Sequence, residues 1–116
     1  MINDYLTAVM FTEAENIDIE SILRKTDEIQ DYFTPEFIDQ STSDIESFQN
    51  MMGNYWEDLI DELGTAQVMY DLWLTRNHHG AGFWEQDSPQ CQLASKIALQ
   101  LGGVEDVEIK IPDELF

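Results

Sequence analysis

The sequence predicts an α+β fold: a mainly helical single domain over 1–116, with a small antiparallel sheet near the C-terminus. Three observations predict it. A length of 116 residues suits one domain, and 43% apolar residues with 13 aromatics exceed what a disordered acidic chain carries. Between residues 38 and 63 the apolar side chains recur at helical spacing. Near the C-terminus, 82–85 and 104–111 read as short strands, the second with apolar and charged residues alternating.

Taken in order, residues 4–13 form an apolar patch. Leu6, Val9 and Met10 fit a helix, and Val9, Met10 and Phe11 also suit a short strand. Residues 17–33 fit neither period and read as loop with a short helix around 20–25. Thr34, Pro35 and Glu36 are a helix start: a hydroxyl cap, a proline at the first position and an acid at the positive end. The stripe Ile38, Ile45, Phe48, Met52, Tyr55, Trp56, Leu59, Ile60 and Leu63 follows. Gly53 marks a kink or break in it, and Gly64 ends it. Thr65 then caps a second helix.

For 72–84 two readings stand: a hairpin with strands at 72–75 and 81–84, or a helix to about Thr75, a loop and a strand at 82–85. The second is preferred. Ser88 and Pro89 open another helix with Leu93, Ile97, Ala98 and Leu101 inward, stopped by Gly102 and Gly103. Val104, Val107, Ile109 and Ile111 form the closing strand, ended by Pro112.

The charge is extreme: 24 Asp and Glu against 5 Lys and Arg, a formal net of −19. Binding of nucleic acid phosphates or of anionic membrane surfaces is excluded, because both need clustered cations. No run reaches the length of a membrane span, and the opening Met1, Ile2, Asn3, Asp4 does not read as a signal peptide. The lone Cys91 cannot form an internal disulfide, which suits a reducing cytoplasm. Residues 1–62 carry 16 acids against two cations, so the N-terminal part, about 1–63, is the acidic helical part. The part at about 64–116 carries the most distinctive segment. No Pro/Gly/Ser linker divides them.

That segment reads Asp71, Leu72, Trp73, Leu74, Thr75, Arg76, Asn77, His78, His79, Gly80, Ala81, Gly82, Phe83, Trp84. It resembles the shared signature of a family of small acidic proteins encoded by bacteriophages and prophages, generally of unknown function. The family has Gly where this chain has His78, and an Asn-Gly pair would favour a tight primed turn. His78 therefore weakens the hairpin reading. The resemblance implies a phage protein made in the cytoplasm of a bacterial host. It implies no reaction.

Within the segment, Arg76 is one of only five cations and is expected to pair with Asp71 or Glu85. His78 and His79 are adjacent, lack the spacing of a metal site and are read as turn residues bonding a backbone carbonyl. Gly80 and Gly82 allow close backbone approach but lack the lysine of a phosphate loop. Trp73, Phe83 and Trp84 read more readily as core than as site. Phe83 and Trp84 are consecutive, so on a strand one fills the core while the other faces out. Cys91 reads as an ordinary half-buried thiol at a helix start. No catalytic constellation, cofactor or metal is expected.

The charge points to a partner instead. Nineteen charges equal roughly 32 Å of duplex, and a 116-residue domain with a radius of gyration of about 13 Å is about 35 Å wide. The leading expectation is a phage-encoded protein that inhibits or modulates a host protein by mimicking nucleic acid. It would occupy a basic cleft through an acidic face of Asp39, Asp44, Glu46, Glu57, Asp58, Asp61 and Glu62. The alternative is an interaction module whose signature surface binds a partner through Asp71, Trp73, Arg76, Asn77, His79 and Trp84; it requires Arg76, His79 and Trp84 to be exposed together. Adaptation to high salt would explain the acidity without either.

Overall fold

The structure, a computed structural model, describes residues 1–13, 29–77 and 82–104. Among the described residues five α-helices follow one another: α1 (Ile2–Glu13), α2 (Pro35–Met52), α3 (Tyr55–Leu63), α4 (Thr65–Arg76) and α5 (Pro89–Leu101). Two 3-10 turns, Ile29–Tyr32 and Phe83–Glu85, precede α2 and α5. The fold class is therefore corrected. Among the described residues there is no sheet, and the architecture is all-helical. The expected strand at 82–85 is a 3-10 turn, in which Phe83 is buried and Trp84 exposed. One residue in and the next out satisfies a tight turn as well as a strand, so the alternation of two residues carried too little information. Of the closing strand only Val104 is described, and it is irregular; 105–111 and the short helix around 20–25 lie outside the described residues.

The helix starts follow local chemistry. Thr34 Oγ1 accepts from the Phe37 amide at 3.1 Å, and Ser88 Oγ accepts from the Cys91 amide at 3.3 Å. Each satisfies one orphan donor, and a proline follows each cap. Gly53 breaks the long apolar stripe into α2 and α3, with φ +56° and ψ −125°, a conformation strained for any side chain. The expected cap at Thr65 is not made: Gly64 alone joins α3 to α4, donating to Ile60 O at 2.8 Å and accepting from the Val68 amide at 3.0 Å.

Helix α4 is the axis of the molecule. Val68, Met69 and every residue from Asp71 to Arg76 are buried, so it has no solvent stripe. It packs most closely against α1, then against α5 and α3, while α2 packs on α5 and α1. Helix α1 buries Tyr5, Leu6, Ala8, Val9 and Met10, more than half its circumference. Of the inner face expected for α5, Ile97 and Ala98 are buried while Leu93 and Leu101 are half-buried; Cys91 and Ala94 complete the face. Aromatic pairs fill the centre. Tyr5 meets Trp73 edge-on at 5.6 Å, and Phe48 stacks on Phe83 at 5.8 Å. The body measures 46 × 24 × 23 Å with a radius of gyration of 14.5 Å, so it is longer and narrower than a rounded domain about 35 Å wide.

Gly82 is where the turn meets α4. A Cβ there would overlap Thr75 Oγ1 and lie 2.7 Å from Trp84 Cζ3. Thr75 Oγ1 at the same point accepts from the Phe83 amide at 3.1 Å. Gly82→Ala is therefore expected to cost about 1–3 kcal/mol, read as a lower urea midpoint with unchanged m-value. An unchanged midpoint would show that the turn moves freely against α4.

Candidate functional site

The end of α4 carries three consecutive polar side chains, and each ties down a different distant segment. Thr75 holds the Phe83 amide. Arg76 donates from Nε to Gly102 O at 2.8 Å, and from one terminal nitrogen to Tyr5 Oη at 2.9 Å and Asp44 Oδ2 at 3.0 Å. Asn77 donates from Nδ2 to Trp73 O at 2.9 Å and accepts on Oδ1 from the Val104 amide at 3.0 Å. Arg76 and Asn77 thus grip the chain as it leaves α5. Arg76 also connects α1 through Tyr5 and α2 through Asp44. Its position in the last turn of α4 places its charge at the negative helix end.

This arrangement corrects two expectations. Arg76 does not pair with Asp71 or Glu85; its one salt bridge among the described residues is to Asp44. Asp71 stands five residues earlier on the same helix, about 140° away around the axis, and cannot reach it. Nor is Arg76 a surface group: its side chain is 4% exposed, so the joint exposure of Arg76, His79 and Trp84 does not arise. Trp73 is also buried, its indole N–H donating to Thr12 Oγ1 at 2.6 Å. Asp71 is buried and accepts from Gln67 Nε2 at 2.9 Å. Asn77 is half-buried. His78, His79 and Gly80 lie outside the described residues. Of the six proposed signature contacts, Trp84 alone is described as exposed, at 44%.

The electrostatics follow from burial. Desolvation pushes the Tyr5 phenol up to about 12, against the opposing pull of Arg76. Burial raises the Asp71 carboxyl, partly offset by the Gln67 hydrogen bond, with the charge of Glu85 raising it further. Burial likewise pushes the Cys91 thiol up, opposed by Ser88; the thiol is fully buried rather than half-buried, and it is unsuited to nucleophilic chemistry. Among the described residues no group of His, Cys, Asp and Glu side chains could hold a metal ion.

The acidic helices behave differently. Asp39, Glu46, Glu57, Asp58, Asp61 and Glu62 are all exposed. On α2, Glu36, Asp39 and Glu46 fall within about 80° of one another, opposite the buried Ser41, Ile45, Phe48 and Met52. On α3 the four acids span about 140°, and Trp56, Leu59, Ile60 and Leu63 hold the other side. Asp44 leaves this surface: it is half-buried, neutralised by Arg76, and its second oxygen accepts from Gln40 Nε2 at 3.0 Å. Sequence reasoning missed Tyr5, Thr12 and Gly102 as partners of the segment, because only packing brings residues 26 to 71 positions away to Arg76 and Trp73.

Two expected outcomes follow. Arg76→Ala leaves Tyr5 Oη, Gly102 O and Asp44 without their donor and is expected to cost about 3 kcal/mol in urea unfolding. Arg76→Lys should recover only part, lacking the planar fork. Asp71 has a folded-state pKa above 3.8, so its contribution is full below 3.8 and is lost as pH rises through the raised value. Asp71→Asn should therefore be more stable than the parent at neutral pH, with no advantage below about pH 3.8, in paired thermal melts.

Comparison with protein-family models, with curated proteins and with solved structures finds no match to this chain.

Proposed function

We propose that this is a phage-encoded acidic binding protein that occupies a basic, nucleic-acid-binding cleft of a host protein and thereby inhibits or modulates it. One observation carries the reading. Among the described residues, ten Asp and Glu side chains are exposed against a single exposed cation, Lys96. The other described cation, Arg76, is buried and already neutralised by Asp44, so it does nothing to offset the outer field. A soluble surface normally intersperses both signs.

Shape supports the reading in part. The body is 46 Å long and 23–24 Å across. An equal length of duplex carries about 27 charges; the described residues hold 14 acids against 2 cations, a net of −12, which gives about 0.4 of duplex density. Apart from Asp44, the glutamates and aspartates of α2 and α3 stand on solvent stripes, backed by helices whose inner faces are fixed in the core. Such carboxylates are positioned rather than tethered on loops, which lowers the ordering cost of binding. The phage origin rests on the resemblance of 71–84. The structural use of Thr75, Arg76 and Asn77 gives those three residues a role in the fold, which favours the acidic surface as the binding face.

The test is capture from a nuclease-treated bacterial lysate on the immobilised full chain. A nucleic-acid-binding protein should be retained at low salt, released by about 0.5 M salt, and displaced by duplex DNA. The quadruple variant Glu57→Gln, Asp58→Asn, Asp61→Asn, Glu62→Gln, with helicity confirmed by circular dichroism, should lose that retention. A partner held equally by the neutralised chain and through high salt would overturn the proposal.

A further inference from the structure

The segment 82–87 and the outer face of α5 enclose an open groove of about 390 Å³, lined by Trp84, Gln86, Asp87, Gln92, Lys96 and Leu99 among others. Three features set it apart. Trp84 and Leu99, exposed by 44% and 47%, contribute large apolar surface to the same groove. One edge of the exposed Trp84 ring lies over Gly82, where a Cβ would come within 2.7 Å of it. Lys96, the one exposed cation among the described residues, lines the groove together with the exposed Asp87.

We propose that this groove is the contact surface of a symmetric dimer of the chain. Charge complementarity selects the occupant. A two-fold interface sets each residue against its counterpart's partner, so a groove lined by one anion, Asp87 just before α5, and one cation, Lys96 within α5, is complementary to itself. Two α5 helices crossing antiparallel near Gln92 bring Asp87 of one copy to Lys96 of the other, twice. Trp84 and Leu99 are then covered from water, Gln92 meets its own counterpart at the crossing, and the Gln86 amide supplies the polar rim. A strongly basic partner gains nothing from a patch bearing Lys96. A molecule of net −19 meets its own copy with least repulsion where its only described exposed cation stands.

The two long-range fields predict opposite salt responses. Binding of the acidic face to a basic cleft weakens with salt. Association of two like polyanions through an apolar patch strengthens with salt, because screening removes their mutual repulsion. The dimer is thus independent of the partner proposed above, and failure of one leaves the other standing.

Sedimentation equilibrium of the full chain, up to millimolar concentration, tests it. A species of twice 13.4 kDa is expected, populated more in about 0.5 M than in about 0.05 M salt. Trp84→Ala should raise the dimer Kd by about tenfold or more. Lys96→Glu and Asp87→Lys should each weaken self-association, since each sets like charges against each other. Mixed in equal amounts, these two chains should recover the dimer, because both cross-pairs are then opposite in sign. A monomer at every concentration and salt overturns the proposal. So does a mixture that associates no better than either single variant, with helicity unchanged in each.

Discussion

One guanidinium holds this molecule together. Arg76 is a buried cation in a chain of net −19, and its three hydrogen bonds reach α1, α2 and the end of α5 from the end of α4. A lysine would offer a point charge, whereas the planar fork meets a carbonyl, a phenol and a carboxylate in fixed directions. Burying such a group is costly unless every direction is answered, and no buried side-chain polar atom among the described residues lacks a partner. The surrounding field adds a further advantage: in a strongly negative body a buried cation is favoured by charges well beyond its immediate contacts.

The acids are arranged around the same constraint. Asp44 is drawn in to meet Arg76, while the others stand outside. Glu57 with Asp61, and Asp58 with Glu62, are like-charge neighbours one turn apart on α3, each pair costing a few tenths of a kcal/mol. The helix tolerates them because Leu59 is fully buried and Trp56 packs edge-on against Phe48 at 6.1 Å. Repulsion on one face is offset by packing on the other.

How much of this was legible depended on each helix's surroundings. Amphipathic α2, α3 and α5 declared themselves by period, and Thr34 and Ser88 fixed two starts almost to the residue. Helix α4 is buried nearly all round and shows no stripe, so 72–75 admits a strand reading beside the preferred helix to about Thr75, which the structure has. Helix α1 is ambiguous for the same reason. The turn at 83–85 imitated a strand because Gly82 lets the chain pass tight against Thr75, a fact of packing that period cannot convey. The signature segment was conspicuous in sequence, yet its use was hidden: the partners of Arg76 lie 71 residues before it, 32 before it and 26 after it.

Those separations bear on the order in which the fold closes. The clamp draws on residues 5, 44, 76 and 102, so no contiguous stretch shorter than most of the chain contains it. Local helices form quickly, but contacts this far apart in sequence carry a large loop-closure cost before they return any energy. During synthesis α1 and α2 emerge with Tyr5 and Asp44 lacking their common donor, and the donor arrives before Gly102. The clamp therefore closes only once the end of α5 can dock onto Arg76 and Asn77, after residues 5–104 have all been made.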